Sequence, residues 1–376
     1  MIYLDYSATT PVSYEVEDTM NKVTRDYIGN AHAINALGRK SRDLLDSSLK
    51  QIADLFSCDE NEITFTSGAT ESNNMALIGV SLANMRKGKH IIVSKLEHPS
   101  IYAICDYLKT LGFEISYVNN DSEGLIDFDD LKRLMREDTI LVSLCAVNSE
   151  MGIRQPLKMI RQIIKKENPN TYFHADMTQA IGKVSINMKD VDLASMSIHK
   201  IFGPKGIGIL YKSNIVKIEP IIYGSGNTND LNPGTPPLPL IVGTAKALRI
   251  ALEDLEKKEH FVERLNEKIV TELSKYPDIK INKTKYSIPH ILNISVLKIQ
   301  SETMLHALDT HEIYVSTNTA CAGNTDSQSV MAVYNDLLRS KHTLRISLSY
   351  QTTTEEVNLF LKYFKEEYEK LNNLKD

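Results

Sequence analysis

Between residues 62 and 213, short apolar runs alternate with amphipathic ones, and that alternation limits the chain to few folds. "EITFTSG", "HIIVSKLE", "FEISYVN", "TILVSLCAVN", "TYFHAD", "VDLASMSIH" and "GIGILYKS" have strand character. "ATESNNMALIGVSLANMRKG", "PSIYAICDYLKTLG", "DFDDLKRLMRED" and "PLKMIRQIIKKEN", lying between them, have helical periodicity with turn residues at their ends. Strands separated by helices imply an α/β fold with a mostly parallel sheet covered on both faces. In such sheets ligands bind beyond the carboxyl ends of the strands. The 376 residues exceed what one core usually supports, so two domains are expected. The segment "GTPPLPLIVGTAKALRIALEDLEKKEHFVERLNEKIVTELSKY" starts rich in proline and then reads as one long charged helix. Beyond it, "HILNISVL", "SETMLHALDTHEI", "TLRISLSYQ" and "TTEEVNLFLKYFKEEYEKLNN" suggest a smaller α+β domain.

Bulk properties narrow the function. A net charge of −5 disfavours a broad nucleic-acid surface. No apolar run reaches membrane-spanning length. "MIYLDYSATT" lacks a basic region followed by an apolar one, so no secretory signal is expected and the expected location is cytoplasmic. The four cysteines show neither paired nor zinc-ligand spacing. Cys58, Cys105 and Cys145 sit among apolar neighbours and read as core residues. Cys321 sits in "VSTNTACAGNTDSQSVM", small and polar, which reads as a loop.

Groups with chemical potential fall at strand ends. In "TSGATES", Gly68 and Ala69 lie where a strand turns into a helix; the exposed N–H groups and the helix dipole favour an anion, and Thr70 adds a hydroxyl. An ordinary capped helix start explains the same residues. Asp176 ends "FHAD", with Gln179 three residues on; a carboxylate there suits a protonated ring nitrogen, a metal or a helix cap. His98 and Asn148 close two further strands. "SIHK" brings Ser197, His199 and Lys200 together, and Lys200 is a candidate Schiff-base amine. Each group alone has a bland explanation. Together they supply an anion cradle, an acid for a ring nitrogen and an amine, the parts that pyridoxal phosphate requires.

"YLDYSATTP", "FTSGATES", "EHPS", "VNSEMG", "HKIFGPKGIG", "PGT", "TAC" and "LRISLSYQTTTEE" follow one another in an order that resembles the NifS/IscS-type cysteine desulfurases of the class-V aminotransferase family, which are fold-type I pyridoxal-phosphate enzymes. The resemblance spans nearly the whole chain. It implies a large domain with a seven-stranded, mostly parallel sheet over residues 15–255. It also implies a small domain over 256–376 carrying the cysteine loop, joined by the N-terminal segment 1–14. By this resemblance Lys200 forms the imine with the cofactor, Asp176 pairs with the pyridinium nitrogen and Gln179 bonds the phenolic oxygen. His98 stacks on the ring and moves protons. Ala69, Thr70, Ser197 and His199 hold the phosphate, with Thr235 of "NPGTPP" reaching it across a homodimer interface. Asn148 also touches the cofactor, and with Arg345 binds the substrate carboxylate. Cys321, on a long loop running to Arg345, receives the sulfur of L-cysteine as a persulfide and passes it to an acceptor protein, an iron–sulfur scaffold or a thiolation enzyme.

Several positions depart from the family pattern: Met177 where alanine backs the ring, Asn232 where arginine is usual, Asn35 and Ala146 in place of histidines, and "ACAGNTD" after the cysteine. Two other readings remain. One is a different class-V activity, an aminotransferase or selenocysteine lyase, which does not need Cys321. The other is a docking protein of a sulfur-transfer assembly with degraded catalysis.

Overall fold

The computed structural model describes residues 1–224, 231–317 and 326–373. The chain runs β1 (Ile2–Tyr3), α1 (Tyr14–Asp26), α2 (Ala36–Phe56), β2 (Ile63–Thr66), α3 (Ala69–Asn84), β3 (His90–Ser94), α4 (Pro99–Thr110), β4 (Glu114–Val118), α5 (Phe128–Leu134), β5 (Thr139–Cys145), α6 (Leu157–Glu167), β6 (Tyr172–Asp176), β7 (Leu193–Ser197) and β8 (Gly208–Lys212). It continues with α7 (Leu238–Leu252), α8 (Leu255–Leu273), β9 (Ile279–Asn282), β10 (Ile291–Val296), α9 (Ser301–Asp309), β11 (Ile313–Tyr314), α10 (Gln328–Tyr334), α11 (Leu337–Lys341), β12 (Thr343–Ser347) and α12 (Thr354–Asn373).

Seven strands form the main sheet in the order β2-β8-β7-β6-β5-β3-β4. The β3–β4, β3–β5, β5–β6 and β6–β7 pairs are parallel, and β8 runs antiparallel to both its neighbours. The expected mostly parallel sheet is therefore present. Alternation along each strand feeds two cores. Ile91, Val93, Leu141 and Leu193 pack with Leu77, Val80, Ile101 and Leu108 of α3 and α4. Ile92, Val142, Phe173 and Ala194 face Ile52, Ile160, Ile164, Ile241 and Leu248 of α2, α6 and α7. β3, β5, β6 and β7 are buried along their whole length, as strands covered on both faces must be. Their interior polar groups are paired: His174 Nδ1 meets Ser143 Oγ at 2.8 Å and its Nε2 meets Ser195 Oγ at 2.9 Å, a cross-strand link over three neighbours.

A second sheet, β12-β10-β9, is antiparallel. Leu292, Ile294, Leu344 and Ile346 of this sheet share a separate core with Val262, Leu265 and Ile269 of α8 and with Val357, Phe360 and Phe364 of α12. The N-terminal strand joins it: β1 pairs in parallel with β11, and Ile2 and Leu4 are buried there.

The long helix expected after the proline-rich segment is two helices. The chain leaves α7 with Glu253 extended and Asp254 left-handed at φ 51° before α8 begins. The cause is a change of core. α7 is apolar on most of its surface and buries Leu238, Ile241, Ala247 and Leu248 against the main sheet, whereas α8 offers one stripe to the second core. A straight helix could not serve both. The stretch from Cys321 to Arg345 is not one long loop either, since α10 and α11 occupy much of its described part.

Candidate active site

The carboxyl ends of β3, β5, β6 and β7 and the turn after β2 open on one cavity of about 210 Å³. Ala69, Thr70, His98, Asp176, Gln179, Ser197, His199, Lys200 and Arg345, nine of the residues singled out from the sequence, line it.

The turn after β2 depends on two glycines. Gly68 has φ 157° and ψ 177°, a conformation that only glycine adopts without strain. Gly208 lies against it; a Cβ there would come within 2.6 Å of the Gly68 Cα. This close approach lets the Ala69 N–H donate to Ser197 Oγ at 2.8 Å, tying the start of α3 to the end of β7. A shallower depression beside the cavity shares Ala69, Thr70, Ser197 and His199 and adds Thr9, Ser67 and Lys205. Hydroxyls and a lysine at a helix start can hold an anion. Within it the Glu71 carboxylate accepts from the Ser67 N–H. His199 Nδ1 lies 3.0 Å from Thr9 Oγ1, and burial, reinforced by Lys200, Lys205 and Lys183, pushes its imidazole down to about 4.

Asp176 is buried and aimed. Its Oδ1 accepts from the Thr178 N–H and its Oδ2 from Asn73 Nδ2, both at 2.9 Å. Asn73 Nδ2 also reaches Ser100 Oγ at 3.3 Å, and Ser100 Oγ lies 2.9 Å from His98 Nδ1. His98 caps α4, with Pro99 at the first helical position. Its Nδ1 accepts the Ser100 N–H at 3.1 Å, so the neutral ring carries its proton on Nε2. Burial lowers the His98 pKa, with Lys200 lowering it further and Asp176 opposing, which favours that neutral ring.

Lys200 sits in the single turn after β7, and its Nζ donates to the carbonyls of Ser7 at 2.7 Å and Ala8 at 2.5 Å. Gln179 Nε2 donates to the same Ser7 carbonyl at 3.0 Å. From the second sheet comes Arg345, 2% exposed, donating from Nη2 to Asp5 Oδ1 at 2.9 Å and from Nη1 to the Ser149 carbonyl at 3.1 Å. A guanidinium has five N–H groups, so capacity remains for a carboxylate.

The remaining expectations fare differently. Asn148 does not line the cavity, although its neighbours Val147 and Ser149 do. Its Oδ1 caps the turn by accepting from the Glu150 and Met151 N–H groups, and its Nδ2 donates to the Leu96 carbonyl and Ser329 Oγ. The amide's hydrogen bonds are thus spent on its own turn and on joining it to two other segments. Thr235 is exposed and does not line the cavity. Cys321 lies outside the described residues. Met177 does not back the cavity: alternation after Asp176 turns it into the main core, fully buried. Asn35 caps α2, and Asn232 Nδ2 donates to the Phe65 carbonyl at 2.7 Å. Cys105 and Cys145 are buried and Cys58 is half-buried, but Cys145 also forms part of the cavity wall, where burial raises its thiol far above the usual range.

Residues 2–360 match the family model described as Aminotransferase class-V. This chain belongs to the class-V aminotransferase family. Among class-V relatives, a protein named cysteine desulfurase IscS from Dictyoglomus turgidum is 36% identical over 379 residues, covering 99% of this chain and 96% of that protein. A solved structure described as a NifS-like protein superposes with a TM-score of 0.92 at 35% identity, covering 97% of this chain and 98% of the other. Another, described as SspA in complex with cysteine, gives a TM-score of 0.82 at 29% identity over 94% of this chain and all of the other. Class-V enzymes of this kind depend on pyridoxal phosphate, and the donor set suits that group: hydroxyls and a lysine at a helix start, a buried carboxylate with both oxygens oriented, and the Lys200 amine in the same cavity.

Sequence reasoning passed over Asn73, Ser100 and the Ser7 and Ala8 carbonyls. Asn73 had a readable signal: it stands four residues after Ala69 and three after Thr70 on α3, hence on the face that starts at the cradle.

Proposed function

We propose that this chain is a pyridoxal-phosphate-dependent cysteine desulfurase that converts L-cysteine to L-alanine and passes the sulfur to Cys321. The observation that carries this reading is the convergence of an amine (Lys200), a carboxylate (Asp176), a neutral imidazole (His98) and a guanidinium (Arg345) on one cavity. In sum, cysteine and the Cys321 thiol give alanine and a Cys321 persulfide, so the sulfur atom moves and no external oxidant is consumed. Bound in the cavity, pyridoxal phosphate would supply an electron sink for the bonds at the substrate α-carbon.

The protein's own groups divide the remaining work. Ala69, Thr70, Ser197 and His199 would hold the phosphate, and Asp176 would keep a proton on the ring nitrogen. Lys200 Nζ, held at the Ser7 and Ala8 carbonyls, would be the base for the α-proton. His98 Nε2–H would deliver or take a proton beside the substrate thiol. Arg345, pinned by Asp5 and Ser149, would orient the substrate carboxylate. The Cys321 thiolate would then attack the substrate sulfur. Thr235, exposed on the single chain, would complete the phosphate site of a second copy in a homodimer, and an acceptor protein would collect the persulfide sulfur.

Incubating the purified protein with pyridoxal phosphate and L-cysteine tests this. Alanine should form, and mass spectrometry should find one additional sulfur on Cys321. The variant Cys321→Ala should bind cofactor normally yet release no sulfide under reducing conditions. Full-rate desulfuration by that variant would remove Cys321 from the reaction and favour a class-V activity that needs no acceptor thiol.

A further inference from the structure

Lys183 is a buried lysine that the scheme above does not use. It closes the turn following β6, four residues after Gln179, and is only 5% exposed. Lysine is almost never buried this fully unless a counter-charge accompanies it. Among the described residues no carboxylate pairs with it. The titratable groups facing it are Lys200, Arg345, His199 and His290, none of which favours a second cation. Simple stability would place a methionine or leucine at this position.

The hydrogen-bond geometry shows what an amine does there. Lys183 Nζ donates to Gln179 Oε1 at 2.5 Å. On the other side of the same carboxamide, Gln179 Nε2 donates to the Ser7 carbonyl at 3.0 Å, and that carbonyl also accepts Lys200 Nζ at 2.7 Å. A carboxamide has an acceptor end and a donor end of nearly equal size, so packing alone does not decide which way it points. An ammonium group can only donate, and it therefore captures the oxygen. The amide nitrogen is left for Ser7, with its second hydrogen unspent by that bond, and Gln179 lines the cavity. Reversed, the amide would set its oxygen against the Ser7 carbonyl, acceptor against acceptor.

We propose that Lys183 is a positioning residue that holds the Gln179 carboxamide with its oxygen turned away from the cavity, so that Gln179 meets the cofactor's phenolic oxygen solely as a hydrogen-bond donor. This inference rests on the pyridoxal-phosphate reading given above. Burial, with the fields of Lys200 and Arg345 added, lowers the Lys183 amine to about 7. Above that pH a neutral amine can accept as well as donate, and the amide loses its enforced direction.

A double-mutant cycle on the full-length protein tests the linkage, with cofactor affinity of the stripped protein and the pH midpoint of its visible absorption band as readouts. Lys183→Met in the parent should weaken pyridoxal-phosphate binding about 3- to 10-fold, the value of one neutral hydrogen bond, and displace the band's midpoint. In a Gln179→Leu background the same substitution should change neither. Equal effects in both backgrounds would mean that Lys183 acts through its charge or packing alone, and the proposal fails. It fails equally if Lys183→Met binds and titrates like the parent. Should Lys183→Met not fold, Lys183→Gln runs the same cycle with a polar head of similar size, and the same two outcomes decide. A parent protein that binds no pyridoxal phosphate would instead overturn the functional reading itself.

Discussion

Asp176 and Lys200 come to the cavity from the ends of strands in the main sheet, whereas Arg345 comes from the middle of a strand in the second. Beyond a strand end the backbone leaves the ladder and each chemical group sits in a turn: Thr178 bonds Asp176 and Ser100 bonds His98 within their own turns, while Asn73 of α3 reaches Asp176 and the N-terminal Ser7 and Ala8 carbonyls reach Lys200. Arg345 has no such local turn. Its backbone is paired with Asn293 of β10 and bridged to Ser316, and its place in the cavity follows from how the second core seats against the first. The comparison teaches a division of labour. The groups proposed to move protons sit in turns of the main sheet, while the group proposed for the substrate carboxylate is carried by a separate layer of structure.

The largest expected effect on the first side is Lys200→Ala, which should lower alanine formation by about 10³-fold or more, since it removes the proposed base. Steady-state alanine release checks it, and a loss below tenfold would break the assignment. On the second side, Phe360→Ala empties a fully buried ring site in the α12 core and should cost about 3–5 kcal/mol in denaturant unfolding. Arg345→Lys keeps the charge but not the fork, and it should raise KM for cysteine about 10- to 100-fold with a smaller change in kcat. A kcat loss with unchanged KM would show that Arg345 belongs with the proton-moving groups after all.

A further effect concerns pH. Lys183 is depressed in the folded chain, to about 7 from 10.5. Between those values the unfolded chain binds one more proton at this site than the folded one. The Lys183 contribution to stability therefore rises with pH across that window and falls as pH is lowered toward 7. The melting temperature of the parent minus that of Lys183→Met should increase from pH 7 toward pH 10, and a flat difference would contradict the burial of a neutral amine.

Much of this division is legible in the sequence because strand ends are. "FHAD", "LEHPS" and "SIHK" mark the points where an apolar run stops and polar groups begin, and the structure brings Asp176, His98, Ser197, His199 and Lys200 to one cavity. What is not legible depends on direction and partners. Asn148 closes its strand as expected, yet its amide turns to Leu96 and Ser329, a choice made by a segment 181 residues away. Lys183 looks like any surface lysine in "AIGKV" until the fold buries it. The break between α7 and α8 carries no glycine or proline, because it arises from the demands of two cores and not from local propensity. α1 and α2 carry readable starts, because Ser13 and Asn35 cap them in the usual way.

The Asp5–Arg345 contact joins positions 340 residues apart. During synthesis the segment that seats the Lys200 amine leaves the ribosome first, and the strand it must grip leaves nearly last. A nascent chain can therefore assemble the main sheet early while the strand carrying Arg345 is still unmade. The cavity is thus closed only once residues from the two ends of the chain are in place.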